Sequence, residues 1–432
     1  MAEGSTNAQN DAVSKTEFDE LKSEMINFVT ELPSNPVKES YYGIIPKYGK
    51  GYVSLSDLYY YLDNPVPGYS IIYDKSLAPD PSACLSYGYS MSDGFIPMSN
   101  SSEGSWNKNG DLFDAIKCGY FNNGTWVEFD KSNIVGNSTY DCYTKIPKIY
   151  QRVTDLSDAK DNSKVQLDLS LSPFEGATLH PAFIMDGVEK DNIYIGRYLA
   201  STASSVYLGT YLRSVSGKTV AKNLTRAEYR EYAKNHGSNY GLLSYFDWDL
   251  ISKLFLMGFK SFDSKNVLGY GYMVSSGMVG TGQTDSHPWM FGDPTSYTTN
   301  MSFLGLEDWW GNSAQVMDNN QFADGGLYVS SSFNPTDDIS DKTLISSGSK
   351  VDDRVASTCK AGLNDFFLAE SIGSISVGEG LCNRQYLIYT NGYYLGADNN
   401  YGKGSVGGAF QLYSFTMTNA GPRGGARLVY KP

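Results

Sequence analysis

Gly305-Leu306-Glu307-Asp308-Trp309-Trp310-Gly311-Asn312, together with the closing Gly425-Ala426-Arg427-Leu428, forms the most specific part of this chain. Two adjacent tryptophans would supply large buried area, Gly311 a tight turn, and Asn312 side-chain bonds to backbone groups that loops cannot satisfy themselves. Arg427 would act likewise from a final strand, its fork donating to carbonyls or to a carboxylate such as Glu307 or Asp308. Between these landmarks, the stretch Leu381 to Tyr430 is crowded with Tyr, Asn, Ser and Gly and sparse in charge. Tyrosine offers a large amphipathic contact at low entropic cost, and the small polar residues offer adaptable hydrogen bonds. The composition suits a binding surface, and equally a glycine-rich β-meander with ordinary surface tyrosines.

At 432 residues the chain is long enough for two or three domains. Its 34 Tyr and 20 Phe, against 19% charged residues, point to β-rich architecture. A net charge of -13 with no concentrated Lys/Arg block argues against nucleic-acid binding and mainly favours solubility. Cys84, Cys118, Cys142, Cys359 and Cys382 are odd in number, irregularly spaced and without a C-x-x-C pair. They read as buried thiols of a protein assembled in a reducing cytosol. The opening MAEGSTNAQNDAVSK lacks an apolar core and no later run approaches spanning length, so neither a signal peptide nor membrane insertion is expected.

Residues 1–36 read as a polar tail and a short helix. Phe18, Leu21, Met25, Phe28 and Leu32 form a heptad seam, ended by Pro33 and Pro36, which suits a short coiled-coil stub or an amphipathic helix lying on a domain. Residues 37–150 show short apolar runs broken by Gly, Pro, Asn and Asp, the pattern of a β-rich attachment or spacer domain. Asn123-Gly124 there predicts a type I′ turn. Residues 151–174 read as a polar connector leading into a strand. From 175 onward, two β segments flank Asp186-Gly187. A helix opens at the capping box Thr225 to Glu228, with Leu224 and Tyr229 placed as a staple, and stops near His236-Gly237. A second, about Ser244 to Phe259, carries Phe246, Leu250, Ile251, Leu254, Phe255 and Gly258 on one face, which predicts burial against a sheet.

HPAFIMDGVEKDNIYIGRY, the two helices, SHPWMFGDPTSYTTNMSFLGLEDWWGNSAQVMD and GPRGGARLVY resemble, in that order, the C-type lectin fold in its formylglycine-generating-enzyme-like form. More narrowly, the chain is similar to phage proteins that carry this domain at their C-terminus, including variable proteins diversified by retroelements. The resemblance covers about residues 175–432. It implies an α+β chain in which a C-type lectin fold ligand-binding domain follows the β-rich region and the short helix. It also implies that Glu307, Trp309, Trp310, Gly311, Asn312, Gly425 and Arg427 are scaffold behind an irregular display surface. On that surface the candidate ligand contacts are Tyr386, Tyr389, Asn391, Tyr393, Tyr394, Asp398, Asn399, Asn400, Tyr401, Gln411, Tyr413, Phe415 and Asn419, about a third of which are expected to be core. Strand alternation should put Gln411, Tyr413 and Phe415 on one face and Leu412 and Ser414 on the other.

The function implied is non-enzymatic: a virion protein of phage tail, fibre or head surface, made in the bacterial cytoplasm, binding a host cell-surface protein or glycan. Its other partners would be phage structural proteins and further copies of itself, a trimer being the expectation from phage fibres. A structural or decoration role without host ligand is the alternative. The family's namesake oxidises a substrate cysteine with a cysteine pair and copper. Here Cys359 and Cys382 lie 23 positions apart in unlike contexts, which does not suit Cu(I) ligation.

Other chemistry is thinly represented. His180 and His287 each precede Pro in segments suited to packing, and His236 ends a helix, where it favours the dipole. No nucleophile elbow is present. The acidic pairs Asp247/Asp249 and Glu307/Asp308 have capping or scaffold roles open to them. The calcium signatures of sugar-binding C-type lectins are missing, and Asp318 and Asp324 could at most hold a stabilising ion. No cofactor or catalytic metal is expected.

Overall fold

The computed structural model describes residues 69–74, 111–155, 164–174, 176–259, 264–274, 277–347, 351–360, 368–372, 384–387, 390–397, 408–418, 420–422 and 424–432. The heptad-bearing segment 14–36 lies outside them. The architecture is α+β, with few helices and many strands in open sheets.

One sheet has six strands in the order Tyr240–Leu242, Leu428–Tyr430, Asn192–Gly196, Cys142–Pro147, Lys117–Asn122, Thr125–Glu128. Its edge hairpin turns at Asn123 and Gly124, with φ of 48° and 81°, as the Asn-Gly pair predicts. This sheet corrects the expected boundary near residue 150. Cys142–Pro147 pairs with Asn192–Gly196 along its length, and Leu112, Phe113, Ile116 and Ile146 belong to the same core as Ile193, Trp310 and Val429. The connector expected at 151–174 is also a piece of sheet: Tyr150–Asp155 and Lys164–Ser170 pair antiparallel, with Tyr69–Asp74 on the outer side. Local composition reports strand content but not which distant strand completes the ladder.

A second, larger sheet contains Asn320–Ala323, Tyr393–Ala397, Leu412–Thr416 and Arg384–Leu387 in that order, with Ala314–Val316 paired to both Tyr393–Ala397 and Gly424–Gly425.

Both expected helices form. Arg226–Lys234 has the reciprocal capping box, Glu228 N–H donating to Thr225 Oγ1 and Thr225 N–H to Glu228 Oε2. Tyr245–Phe259 departs from its expectation of one buried face: every residue except Phe246 is buried. Phe255 packs edge-on against Phe303, Trp310 and Phe410 on one side. The polar side is buried because each group meets a partner. Asp247 caps the helix by accepting from Ser244 N and Oγ, and pairs with Lys431 Nζ at 2.9 Å. Ser252 donates to Ala409 O, and Lys253 donates to Gln151 Oε1 and sits 2.7 Å from Asp249.

His180 completes that network. Its Nδ1 accepts from Ala182 N, so the neutral ring carries its proton on Nε2, 3.1 Å from Asp249 Oδ2. Burial, reinforced by Lys253 and opposed by Asp249, holds its pKa down at about 4. The unfolded value is near 6.5, so the group contributes stability that is complete above pH 6.5 and lost as pH falls through 4, roughly 3 kcal/mol in all. Between pH 7 and 4, wild type should therefore lose roughly 3 kcal/mol more stability than His180→Gln, read as the difference between their urea midpoints at each pH. An equal slope in both would remove His180 from the acid response.

Candidate recognition surface

The expected scaffold residues of the opening motif are all buried. Asp308 and Asn312 take positive φ of 51° and 60°, with Gly305 at 76° and Gly311 at 82°. Gly311 is required for a second reason: a Cβ there would stand 2.7 Å from Tyr272 N and 3.0 Å from Gly271. Asn312 acts as a surrogate strand, Oδ1 accepting from Val279 N at 2.8 Å and Nδ2 donating to Val279 O and Asp308 Oδ2. Trp310 Nε1 donates to Gly269 O at 2.9 Å.

Arg427 joins this motif to the closing strand. Its fork donates to the carbonyls of Gly196, Arg197, Glu307 and Asp308 and to Gln315 Oε1, at 2.7–3.1 Å. Of the two roles predicted for it, carbonyl capture is the one found. The neighbouring carboxylates have other donors. Glu307 accepts from Gly282 N, Thr284 N and Thr284 Oγ1, and Asp308 from Asn300 and Asn312. Burial, then the Glu307 charge, pushes Asp308 up to about 7. Burial also raises Glu307, against the pull of Arg197 and its own donors.

On the adjoining sheet, Tyr413 and Phe415 share one side of the Leu412–Thr416 strand, with ring centroids 5.2 Å apart, while Leu412 and Ser414 are buried on the other. This is the alternation predicted for residues 412–415, whereas Gln411, expected on the face of Tyr413 and Phe415, precedes the strand and is buried. Phe415 lies over Gly396, where a Cβ would meet its ring at 2.7 Å, so the missing side chain makes the seat for the aromatic. Both rings are half-buried. Thr416 and Thr418, not among the expected contacts, are exposed at the end of the same strand. Threonine at a strand end carries no distinguishing signal.

Two of the expected contacts are corrected. Tyr394 is 1% exposed, roofed by the Arg226 guanidinium 4.5 Å from its ring centroid, and burial drives its phenol pKa far upward. Gln411 is also 1% exposed. Neither can reach a ligand: Tyr394 faces the same side as its cross-strand partner Phe415, ring centroids 5.8 Å apart, but lies inside the cluster that includes Tyr229 and Ala233 of the helix Arg226–Lys234. Tyr393 is half-buried and points to the opposite side from Tyr413 and Phe415, packing on the main core. Asn391 is exposed, and its Oδ1 accepts from Asp324 N at 2.8 Å, which makes it a loop tie. The side chains of Tyr386, Tyr389, Asp398, Asn399, Asn400, Tyr401 and Asn419 lie outside the described residues.

The acidic residues once open to metal are otherwise engaged. Asp318 accepts from Arg230 Nε and Nη2, and Asp324 is tied to Asn391. Among the described residues no three His, Cys, Asp or Glu side chains gather as a metal site, and no helix is long and apolar enough to cross a membrane. Cys118 and Cys142 are buried thiols, each raised in pKa by burial. His287 stacks on Phe291 at 3.8 Å and His236 on Tyr240 at 4.3 Å, both in packing roles.

No family model matches this sequence, and none of the curated proteins is significantly similar to it.

Proposed function

We propose that this chain is a non-enzymatic protein of a bacteriophage particle, built on a C-type lectin fold, that binds a protein or glycan of the host surface. The proposed contact is the half-buried pair Tyr413 and Phe415, the latter at the edge of the cluster that buries Tyr394. The observation that carries the reading is the Arg427 clamp. One buried guanidinium holds the turn at 305–312 and the last strand together, as the resemblance implies for a scaffold behind a display surface. The half-buried pair Tyr413 and Phe415, the latter packed on the cluster that contains Ala426 and Leu428, has the amphipathic character of a recognition anchor.

Binding of the labelled full chain to host cells tests this. The whole chain is used because strands 117–147 complete the sheet that holds the closing strand. Tyr413→Ala with Phe415→Ala should weaken cell binding at least about tenfold. Thermal melts of the same variant would verify that it still folds. Equal binding by the folded variant and wild type would reject this surface, and no binding by either would favour a structural role on the particle.

A further inference from the structure

The hairpin of Ser201–Ser205 and Gly209–Arg213 ends in Val206, Tyr207 and Leu208, of which the first two are 97% and 96% exposed. Among the described residues, these three consecutive apolar side chains at a solvated tip pack on nothing, which marks them as a contact surface. No charged residue occurs between Arg197, which is buried, and Arg213, which is held by Asp141. The base of the hairpin is anchored, Leu212 and Ala200 being buried and Asn235 Nδ2 donating to Thr210 O at 2.8 Å.

An aromatic strip begins at this base. Tyr211 meets His236, His236 stacks on Tyr240 at 4.3 Å, and Tyr240 stacks on Tyr430 at 4.7 Å. Tyr430 contacts Tyr194, and Tyr194 contacts Trp126 at the far edge of the six-stranded sheet. All but Tyr194 are only half-buried. The strip makes room for its last member at Gly119, where a Cβ would stand 2.8 Å from the Trp126 ring.

We propose that the 206–208 tip of one copy of this chain seats on the aromatic strip of a second copy. Charge selects the occupant. Copies carrying -13 each repel one another least across surface poor in charge; the tip is uncharged, and along the strip the Asp141 carboxylate that His236 meets is also paired with Arg213. A lipid surface fits less well, because no Lys or Arg stands on the hairpin between its ends to meet anionic headgroups. Geometry then favours reciprocity. The tip lies four residues beyond Tyr211, about 13 Å of strand from where the strip starts, so each copy carries both halves of the contact at a set spacing.

Sedimentation equilibrium of the full chain should show self-association. Val206→Ser, Tyr207→Ser and Leu208→Ser together should weaken it at least about a hundredfold, with an unchanged far-ultraviolet spectrum because the tip supports nothing of its own fold. A photo-crosslinking phenylalanine at position 207, in a mixture of isotopically light and heavy chains, should link to peptides carrying Trp126 or Tyr430 of the other copy. A monomeric wild type, undiminished association of the triple variant, a crosslink confined to one chain, or flotation of the protein with neutral lipid vesicles as a monomer would each overturn the proposal.

Discussion

Arg427→Met is expected to destabilise the protein by about 4 kcal/mol or more, enough to bring a domain of ordinary stability to the edge of folding. The guanidinium supplies the hydrogen bonds of four buried backbone carbonyls and one amide oxygen, drawn from three separate stretches of chain. A thioether fills much of the volume but donates nothing, and each orphaned carbonyl costs about 1–3 kcal/mol. Burial already holds the Arg427 pKa down at about 10, so the side chain is desolvated for the sake of those bonds. Arg427→Lys should fall almost as far, since a single ammonium cannot reach carbonyls spread around a planar fork. Urea unfolding and soluble yield of the two variants measure this. Near-native stability of the lysine variant would mean that charge, not the fork, is what the site needs.

Trp310→Ala is expected to cost about 3–5 kcal/mol. The indole is fully buried, meets Phe255 edge-on at 5.6 Å, and donates to Gly269 O. Truncation opens a cavity beside the Tyr245–Phe259 helix and leaves that carbonyl without its donor. The turn around it is held by positive-φ residues that offer little slack for collapse. Trp310→Phe should recover much of the volume but not the hydrogen bond, and so lie between the two in a denaturant titration. A Trp310→Ala loss below 1 kcal/mol would show that the neighbouring loops close over the gap.

These two positions were legible in the sequence because their chemistry is rare and local. Tryptophan pairs beside Gly-Asn, and an arginine in an apolar closing strand, have few places in a fold other than the interior. The capping box at Thr225 and the Asn123-Gly124 turn were legible for the same reason: every atom involved lies within four residues. The display surface was legible only in part. Tyr393 and Tyr394 are neighbours of identical type, yet one packs at the rim of the main core and the other lies under Arg226, because consecutive strand residues face opposite ways. What covers each of them depends on where the helix Arg226–Lys234 and the main core dock on the sheet.

The sequence by itself determined the β-rich character, the two helices and the capping box of the first, the Asn123-Gly124 hairpin turn, and the buried character of the Trp310 and Arg427 landmarks. Tertiary structure decided the rest. It joined residues 117–147 to the closing strand in one sheet, turned an expected connector into a hairpin, and buried all round, except at Phe246, a helix expected to bury one apolar face. The physical reason is the same in each case. Backbone ladders, buried hydrogen bonds and ion pairs are satisfied by partners tens to hundreds of residues away, such as His180 bonded to Asp249 and Lys431 paired with Asp247, and a local pattern records the need for a partner without recording which one folding supplies.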